Sequence, residues 1–186
     1  MGDGVAERRE RFEAVYRQLY APICGYALRR VREPEDAAEV IAETFATLWR
    51  RFDACPQDAE LRPWLFGVAR RVIANQRRGE GRRSALGERL AANVDHAALE
   101  TARPDEATNE LARAFANLNE SDRELLSLVA WEGLTRAEIA VVLGTNRATV
   151  RLRLHRARRR LREALDEKTG APAPLRLTGG EEHEWT

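Results

Sequence analysis

The sequence predicts an all-α protein built from two small helical domains joined by a flexible linker. Apolar residues recur at spacings of three and four along most of the chain, and strand-like alternation is almost absent. With 44% hydrophobic, 33% charged and 6% aromatic residues, the composition is typical of small helical units with large solvated faces. The helical pattern weakens between residues 80 and 104, where two glycines and a proline interrupt it. The predicted divisions are an N-terminal domain (1–79), a linker (80–104), a C-terminal helix-turn-helix domain (105–166) and a disordered tail (167–186).

The N-terminal domain begins with a helical pattern over residues 7–31, in which Pro22 predicts a break. A second helix opens at Pro34 and carries apolar residues at Ala37, Val40, Ile41, Phe45, Leu48 and Phe52. Residues 53–61, DACPQDAEL, are predicted to form a loop. Pro63 then fits the first turn of a third helix. Its apolar stripe consists of Trp64, Leu65, Val68, Val72 and Ile73.

The C-terminal domain contains two helix-start signals of the capping-box type, S-x-x-E and T-x-x-E. They are formed by Ser121 with Glu124 and by Thr135 with Glu138. Gly133 and Gly144 are predicted to end the two helices with left-handed caps. The predicted helices span 121–132, 135–143 and about 147–165. Two short helices joined by a glycine turn, together with the strongly basic helix that follows, predict a helix-turn-helix.

The last predicted helix concentrates positive charge, because eight arginines lie between Arg147 and Arg162 with no acidic residue among them. Its apolar stripe is formed by Val150, Leu154, Ala157, Leu161 and Leu165. The arginines therefore lie on the remaining face. Like charges four residues apart, such as Arg147/Arg151 and Arg156/Arg160, repel by about 0.2–0.5 kcal/mol per pair, and no acid in this stretch relieves them. The pattern favours a polyanionic partner, DNA, over a merely solvated face.

The balancing negative charge lies in the N-terminal domain, since the whole chain has a net charge of only +1. Residues 33–49 contain five acids and no base. Asp36, Glu39 and Glu43 fall at i, i+3 and i+7, which places them on one stripe opposite the apolar one. Acids favour a helix N-terminus, which explains Asp36 but not Glu43, two turns in. We therefore predict an acidic surface that faces a protein partner, followed by a basic helix over 62–78.

Several function classes are excluded by what the sequence lacks. Cys24 and Cys55 are too few and too far apart for a disulfide scaffold or a zinc site, and the three histidines are scattered. No apolar run approaches the length of about 18 residues that spans a membrane, and the N-terminus lacks the apolar segment of a secretory signal. We predict a cytoplasmic protein that is not an enzyme, with no catalytic residue, metal, cofactor or membrane insertion.

Three stretches, in this order and spacing, carry a family resemblance. They are DAAEVIAETFATLWRRF (36–52), RPWLFGVARRVIANQRR (62–78) and LTRAEIAVVLGTNRATVRLRLHRARRRLR (134–162). They resemble the bacterial RNA polymerase sigma factors of the extracytoplasmic-function (ECF) group, over about residues 8–166. The resemblance implies a factor that binds core polymerase through its β′ and β subunits. It also implies promoter-specific transcription initiation, by recognition of −35 and −10 elements and assistance in opening the −10 DNA.

The family's core-binding helix matches the acidic segment, and the family docks this helix on a basic coiled coil of the β′ subunit. The matching residues are Asp36, Glu39, Val40, Ile41, Glu43, Thr44 and Phe45. Ala42 stands where the family commonly has glutamine. The acidic stripe is the physical counterpart that such a basic partner requires.

The resemblance assigns the −10 strand to the loop at 53–61 and to the helix that follows. A base taken out of the stack needs a polar pocket, and the backbone beside it needs a cationic wall. The expected residues are Arg70, Arg71, Asn75, Arg77 and Arg78. Arg71 stands where the family often has asparagine, and Trp64 is predicted to be a core residue rather than a stacking platform.

The −35 element, as double-stranded DNA, is assigned to the start of the last helix. The expected contact residues are Arg147, Thr149, Arg151, Leu152, Arg153, His155 and Arg156. Among them, Arg151 and Arg156 match the family's base and phosphate contacts. Leu152 stands where the family often has serine. This difference predicts either apolar contact with a thymine methyl or the loss of a hydrogen bond. The linker is implied to pass through the active-site cleft and RNA exit channel of the polymerase.

Two other classes of protein remain as alternatives. A two-domain helix-turn-helix regulator acting without polymerase predicts an apolar ligand pocket and a dimerisation helix, and the sequence indicates neither. A helical adaptor that binds only protein leaves the unrelieved arginines unexplained. Because no extra sensing domain is evident, we expect control by a separate anti-sigma factor, by analogy with the family.

Overall fold

The computed structural model describes residues 3–84 and 106–169, and within these ranges it contains seven helices and no strand. The helices are α1 (Asp3–Leu28), α2 (Pro34–Arg50), α3 (Asp58–Ser84), α4 (Glu106–Ala116), α5 (Glu120–Ala130), α6 (Arg136–Leu143) and α7 (Arg147–Thr169). The predicted all-α class is confirmed. Helix α3 continues past the predicted end of the N-terminal domain to Ser84. The rest of the predicted linker and residues 170–186 of the predicted tail lie outside the described residues.

Helix α1 runs without interruption through Pro22, so the predicted break is wrong. Leu19, Ile23 and Tyr26 are buried on either side of the proline, and their packing holds the two halves in one helix. A proline removes one backbone hydrogen bond, here to the carbonyl of Gln18. Gln18 is an exposed residue on the solvent side of the helix. Burial of apolar side chains therefore overrides the local signal.

Helices α1, α2 and α3 pack around a core that includes Tyr26, Leu48 and Phe66. The connection after α2 is shorter than the predicted loop at 53–61, because α3 begins at Asp58. Pro63 consequently lies inside α3 rather than in its first turn. Acidic side chains in the first turn of α3 interact favourably with the positive end of the helix dipole, which accounts for the earlier start.

The C-terminal domain confirms one of the two predicted capping boxes. Thr135 Oγ1 accepts from the backbone N–H of Glu138 at 3.3 Å, and the Glu138 carboxylate accepts from the N–H of Thr135 at 2.8 Å. Gly144 ends α6 in the left-handed conformation with φ of 62°, as predicted, because that region favours glycine. The turn then leads directly into α7.

The other predicted capping box, at Ser121, is wrong. The N-cap of α5 is Asn119, whose Oδ1 accepts from the N–H of Asp122 at 2.9 Å. Helix α5 therefore begins at Glu120, and Ser121 is exposed. The carboxylate of Glu124 is instead bound by Tyr26 and Arg30 of the N-terminal domain. Helix α5 also ends earlier than predicted, at Ala130.

The two domains contact each other directly in this structure. Helix α3 of the N-terminal domain packs on α6 of the C-terminal domain. The buried apolar residues of both domains form one continuous cluster. This arrangement determines which of the predicted functional surfaces face solvent.

Candidate nucleic-acid and protein interfaces

The first turns of α7 present a cationic surface to solvent. Val150, Leu154 and Ala157 are buried, which fixes the rotation of the helix. Thr149 is half-buried, and its N–H donates to Asn146 Oδ1 at 2.8 Å, which caps the start of α7. The remaining predicted −35 residues are exposed: Arg147, Arg151, Leu152, Arg153, His155 and Arg156. Six of the seven predicted residues are therefore exposed around the buried stripe in the first three turns of α7.

Two arginines in the later turns of α7 are neutralised by acids, which corrects the prediction that no acid relieves them. Arg160 Nη1 lies 2.5 Å from Asp122 Oδ2 of α5, and Arg159 Nε lies 3.2 Å from Glu163 Oε1. Within residues 3–84 and 106–169, no ion pair involves Arg147, Arg151 or Arg156. Among the described residues, the α7 arginines without an ion pair are four in the first turns (Arg147, Arg151, Arg153 and Arg156) and two in the later turns (Arg158 and Arg162). In a helix-turn-helix, the first turns of the second helix are the part that enters the major groove.

The acidic stripe of α2 is exposed at Glu39 and Glu43, while Asp36 and Ile41 are half-buried. Val40 and Thr44 are fully buried in the N-terminal core, as is most of Phe45. The side chains of Val40 and Thr44 therefore fix the rotation of α2 and are not available to a partner in this conformation. The surface that remains for a partner is predominantly acidic.

The acids of this stripe contact two side chains that lie outside residues 33–49, Arg50 and Gln76. Arg50 Nη2 lies 2.5 Å from Glu43 Oε1, and this hydrogen bond and charge lower the pKa of Glu43. Gln76 of α3 donates to Glu39 Oε2 at 3.2 Å. The lowered pKa favours the anionic form of Glu43, and part of its charge is offset by Arg50.

A groove of about 420 Å³ runs between α2 and α3. It is lined by two of the polymerase-binding candidates, Glu39 and Glu43, and by two −10 candidates, Arg71 and Asn75. Trp64, predicted to be a core residue, is half-buried and also lines the groove. Further lining residues that the sequence did not single out for a site are Thr47, Arg51, Val68, Val72 and Gln76. The sequence indicated the helical spacing of these residues on α2 and α3, but it did not indicate that the two helices pack side by side to form a groove.

The other −10 candidates lie toward the end of α3. Arg70 and Arg78 are exposed, and Arg78 Nη2 donates to Asn75 Oδ1. Arg77 is bound across the domain boundary, since its guanidinium donates to Glu120 of α5. It also donates to the backbone carbonyl of Arg30 at 2.8 Å. The five candidates therefore share one helix, and Arg77 is occupied by the C-terminal domain.

The described part of the chain holds no group of three or more histidine, cysteine or carboxylate side chains arranged to bind a metal ion. None of its helices is long and apolar enough to cross a membrane.

Comparison with known proteins assigns the chain to a family. The sequence model described as Sigma-70 region 2 matches residues 15–83, and that of Sigma-70, region 4 matches residues 108–161. The ECF RNA polymerase sigma factor SigL of Mycobacterium tuberculosis is 32% identical over 160 residues, covering 83% of this chain and 88% of the relative. This chain belongs to the ECF RNA polymerase sigma factors. SigK of Mycolicibacterium vanbaalenii, another ECF sigma factor, is 30% identical over 170 residues, which cover 87% of this chain and 85% of SigK.

The fold of this sigma factor is similar to that of a solved one. The sigma factor RpoE of Bartonella quintana, crystallised with the anti-sigma factor NepR, superposes with a TM-score of 0.67 at 22% sequence identity. The match covers 84% of this chain and 98% of that chain. At this identity the likeness supports the fold, with the region 2 match on α1–α3 and the region 4 match on α4–α7.

Proposed function

We propose that this sigma factor binds core RNA polymerase and directs promoter-specific initiation by recognising the −35 and −10 elements and helping to open the −10 DNA. The observation that carries the proposal is the division of charge between the domains. The N-terminal domain exposes acids on α2, whereas the C-terminal domain exposes unneutralised arginines at the start of α7. The proposed site of action is the cytoplasm. One surface suits a basic protein partner, and the other suits DNA phosphate and base edges.

Docking on the polymerase is proposed to use the exposed side of α2. Glu39 and Glu43 supply the charge, and the half-buried Asp36 and Ile41 extend the contact. The buried Val40 and Thr44 support this surface from below. A basic coiled coil of the β′ subunit provides the complementary charge, and the β subunit is the proposed second contact. Charge complementarity of this kind sets orientation and association rate more than final affinity.

Recognition of the −35 element is proposed to use the exposed start of α7. Arg151 and Arg156 are exposed and have no described ion pair, so their donors are free for guanine edges or phosphates. The exposed Leu152 is proposed to contact a thymine methyl group. Contacts to the backbone then orient the helix in the groove. The further members of this surface are Arg147, Thr149, Arg153 and His155.

Recognition of the −10 strand is proposed to use the groove between α2 and α3. Asn75 offers both a donor and an acceptor to the edge of an unstacked base. The half-buried Trp64 offers an aromatic surface in the same groove. Arg70, Arg71 and Arg78 supply positive charge for the single-stranded backbone. Arg77 joins this surface once it is released from Glu120.

Control by a separate protein is also proposed. Two solved structures with a similar fold are complexes: the sigma factor RpoE with NepR, and CnrH with the cytosolic domain of CnrY. NepR is an anti-sigma factor by the description of that complex. We extend this mode of control to the present chain as part of the proposal.

Divided recognition predicts that the isolated chain binds promoter DNA weakly and gains specificity only with core polymerase. Each small domain offers few contacts, and joining them raises the effective concentration only when their geometry is fixed. Footprinting of the same promoter fragment by the chain alone and by the chain with core polymerase measures the difference. Tight, sequence-specific protection by the chain alone would favour a regulator that acts without polymerase.

A further inference from the structure

Helix α7 carries one basic stripe along its exposed surface, beside the buried stripe. Its members are spaced by three or four positions, so they lie above one another on the helix: Arg147, Arg151, His155, Arg158 and Arg162. All five side chains are exposed. Among the residues that the structure describes, none of the four arginines takes part in an ion pair. The stripe is therefore suited to bind an anion.

The start of this stripe borders a shallow depression of about 620 Å³. The depression is lined by Ala148, Thr149, Arg151, Leu152 and His155. Leu152 is 50% exposed, although it is a large apolar side chain. An aromatic ring placed here would cover Leu152 and pack against the guanidinium of Arg151. The surface thus suits a ligand that combines several anionic groups with one apolar or aromatic group.

The chain itself contains a segment with this combination. Residues 181–185, EEHEW, hold three glutamates and a tryptophan and no lysine or arginine. They belong to residues 170–186, which follow α7 directly and contain one base, Arg176. The carboxylates are therefore concentrated in one short acidic segment, just as the unpaired arginines are gathered on one face of α7.

The acidic segment is long enough to reach the start of α7. Helix α7 ends at Thr169, and Arg151 lies 18 residues earlier, or about 27 Å along the axis. The 12 residues at 170–181 span roughly 40 Å when extended. Prolines at 172 and 174 disfavour a continuation of the helix. The segment can therefore turn back to Arg151 and Leu152 with length to spare.

Other basic surfaces are less suited to this segment. The last turns of α7 carry Glu163 and Asp166, whose negative charge opposes an acidic ligand. On α3, the guanidinium of Arg77 is bound by Glu120, and Arg78 donates to the side chain of Asn75. The start of α7 offers arginines without an ion pair and an exposed apolar side chain in the same place.

Covalent linkage compensates for the weakness of each contact. Exposed ion pairs are individually weak and are screened by salt. A segment tethered by a short flexible chain, however, is present at an effective concentration in the millimolar range. A contact with an intrinsic dissociation constant of about 1 mM is then occupied most of the time. The same contact made by a separate peptide would be negligible at micromolar concentration.

We propose that the acidic segment 181–185 docks on the start of α7 and competes with DNA for the same arginines. The consequence rests on the proposed function, in which this surface binds the −35 element. Carboxylates that occupy the arginines replace phosphate contacts, which carry no sequence information. The docked segment therefore lowers the affinity for every DNA sequence by the same factor, namely one plus the ratio of its effective concentration to its dissociation constant.

The contact is tested by nuclear magnetic resonance on the free full-length chain, without DNA or polymerase. A nitroxide label is attached at Thr186→Cys in a Cys24→Ala background, since Cys55 is buried. We expect paramagnetic broadening of the backbone amides of residues 147–156 at low salt. Glu181→Gln with Glu182→Gln and Glu184→Gln should remove this broadening. Salt at about 1 M should remove it as well, because it screens the charges.

The competition is tested by fluorescence anisotropy of the free chain with a short labelled DNA duplex of arbitrary sequence. We expect the same triple variant to bind the duplex about fivefold more tightly than the native sequence at low salt, as for an effective concentration a few times the dissociation constant. The matched control removes three exposed acids of α1: Glu7→Gln, Glu10→Gln and Glu13→Gln. Its net charge is the same, but its acids lie on the other domain, so its gain should stay below about twofold.

The outcomes separate this docking from the proposed function. Unbroadened amides on α7, broadening confined to another helix, or an equal gain in the control would overturn the docking. If the label broadens α7 and the triple variant gains affinity, but the holoenzyme shows no −35 preference, the docking stands and the proposed function fails. If the holoenzyme reads the −35 element while the label leaves α7 unaffected, the proposed function stands and the docking fails.

Discussion

Reversal of the two exposed acids of α2, by Glu39→Lys with Glu43→Lys, is expected to abolish binding to core polymerase while the fold is retained. Both side chains are exposed, and their contacts with Gln76 and Arg50 are surface contacts. Surface ion pairs contribute only about 0–1 kcal/mol to stability. Against a basic partner, however, the reversal places like charges together, at a cost of several kcal/mol. The effect on binding should therefore far exceed the effect on stability.

A matched control reverses the same amount of charge elsewhere on the domain. Glu7 and Glu10 are exposed acids on α1, outside the groove and the acidic stripe. Glu7→Lys with Glu10→Lys should leave holoenzyme formation close to that of the native chain. Binding is measured by titration of labelled core polymerase, and stability by thermal unfolding. If the α2 reversal forms holoenzyme normally, or if the control loses binding equally, the acidic stripe is not the docking surface.

Removal of the Arg151 side chain is expected to weaken binding to a matched −35 element by about 1–3 kcal/mol and to relax preference at one base pair. Arg151 is exposed in the second turn of α7 and has no described ion pair. Helix α7 has 23 residues and is therefore about 35 Å long, so only its first half can remain near base edges. Arg158 is exposed in the later half. Arg158→Ala should weaken binding evenly across sequences or not at all.

The comparison is made with holoenzyme on a library of −35 sequences. The salt concentration is held fixed because phosphate contacts are strongly salt-dependent. A change in the preferred base at one position for Arg151→Ala, without such a change for Arg158→Ala, supports direct readout by Arg151. Equal and sequence-independent losses for the two variants would mean that these arginines supply affinity only.

Features that depend on residues within one helical turn of each other could be predicted from the sequence. The capping box at Thr135 and the glycine end of α6 involve residues three to four positions apart, and both are present as predicted. The apolar spacing of α2 placed Val40 on the buried stripe, and its side chain is buried. The exposure of Glu39 and Glu43 follows from the same periodicity. Local pattern therefore predicted the bounds of α6 and the buried and exposed faces of α2.

Features that depend on contacts between distant parts of the chain could not be predicted from the sequence. Asn119 and Ser121 are both good N-cap residues, and Glu124 would complete a capping box at Ser121. In the structure, Glu124 is bound by Arg30, which lies 94 residues away in the chain. Arg160 likewise meets Asp122 at a separation of 38 residues. The spacing of residues along the chain does not predict pairs that are this far apart in sequence. For the same reason the sequence did not indicate that the two domains pack together.

Run-off transcription with purified core polymerase tests the proposed role in initiation directly. Core polymerase is incubated with and without the chain on DNA selected by the reconstituted complex, and the transcripts are mapped. We expect a transcript of defined start that requires the chain and is lost with the Glu39→Lys, Glu43→Lys variant. A chain that binds the selected DNA but never redirects core polymerase to a defined start would contradict the proposed function.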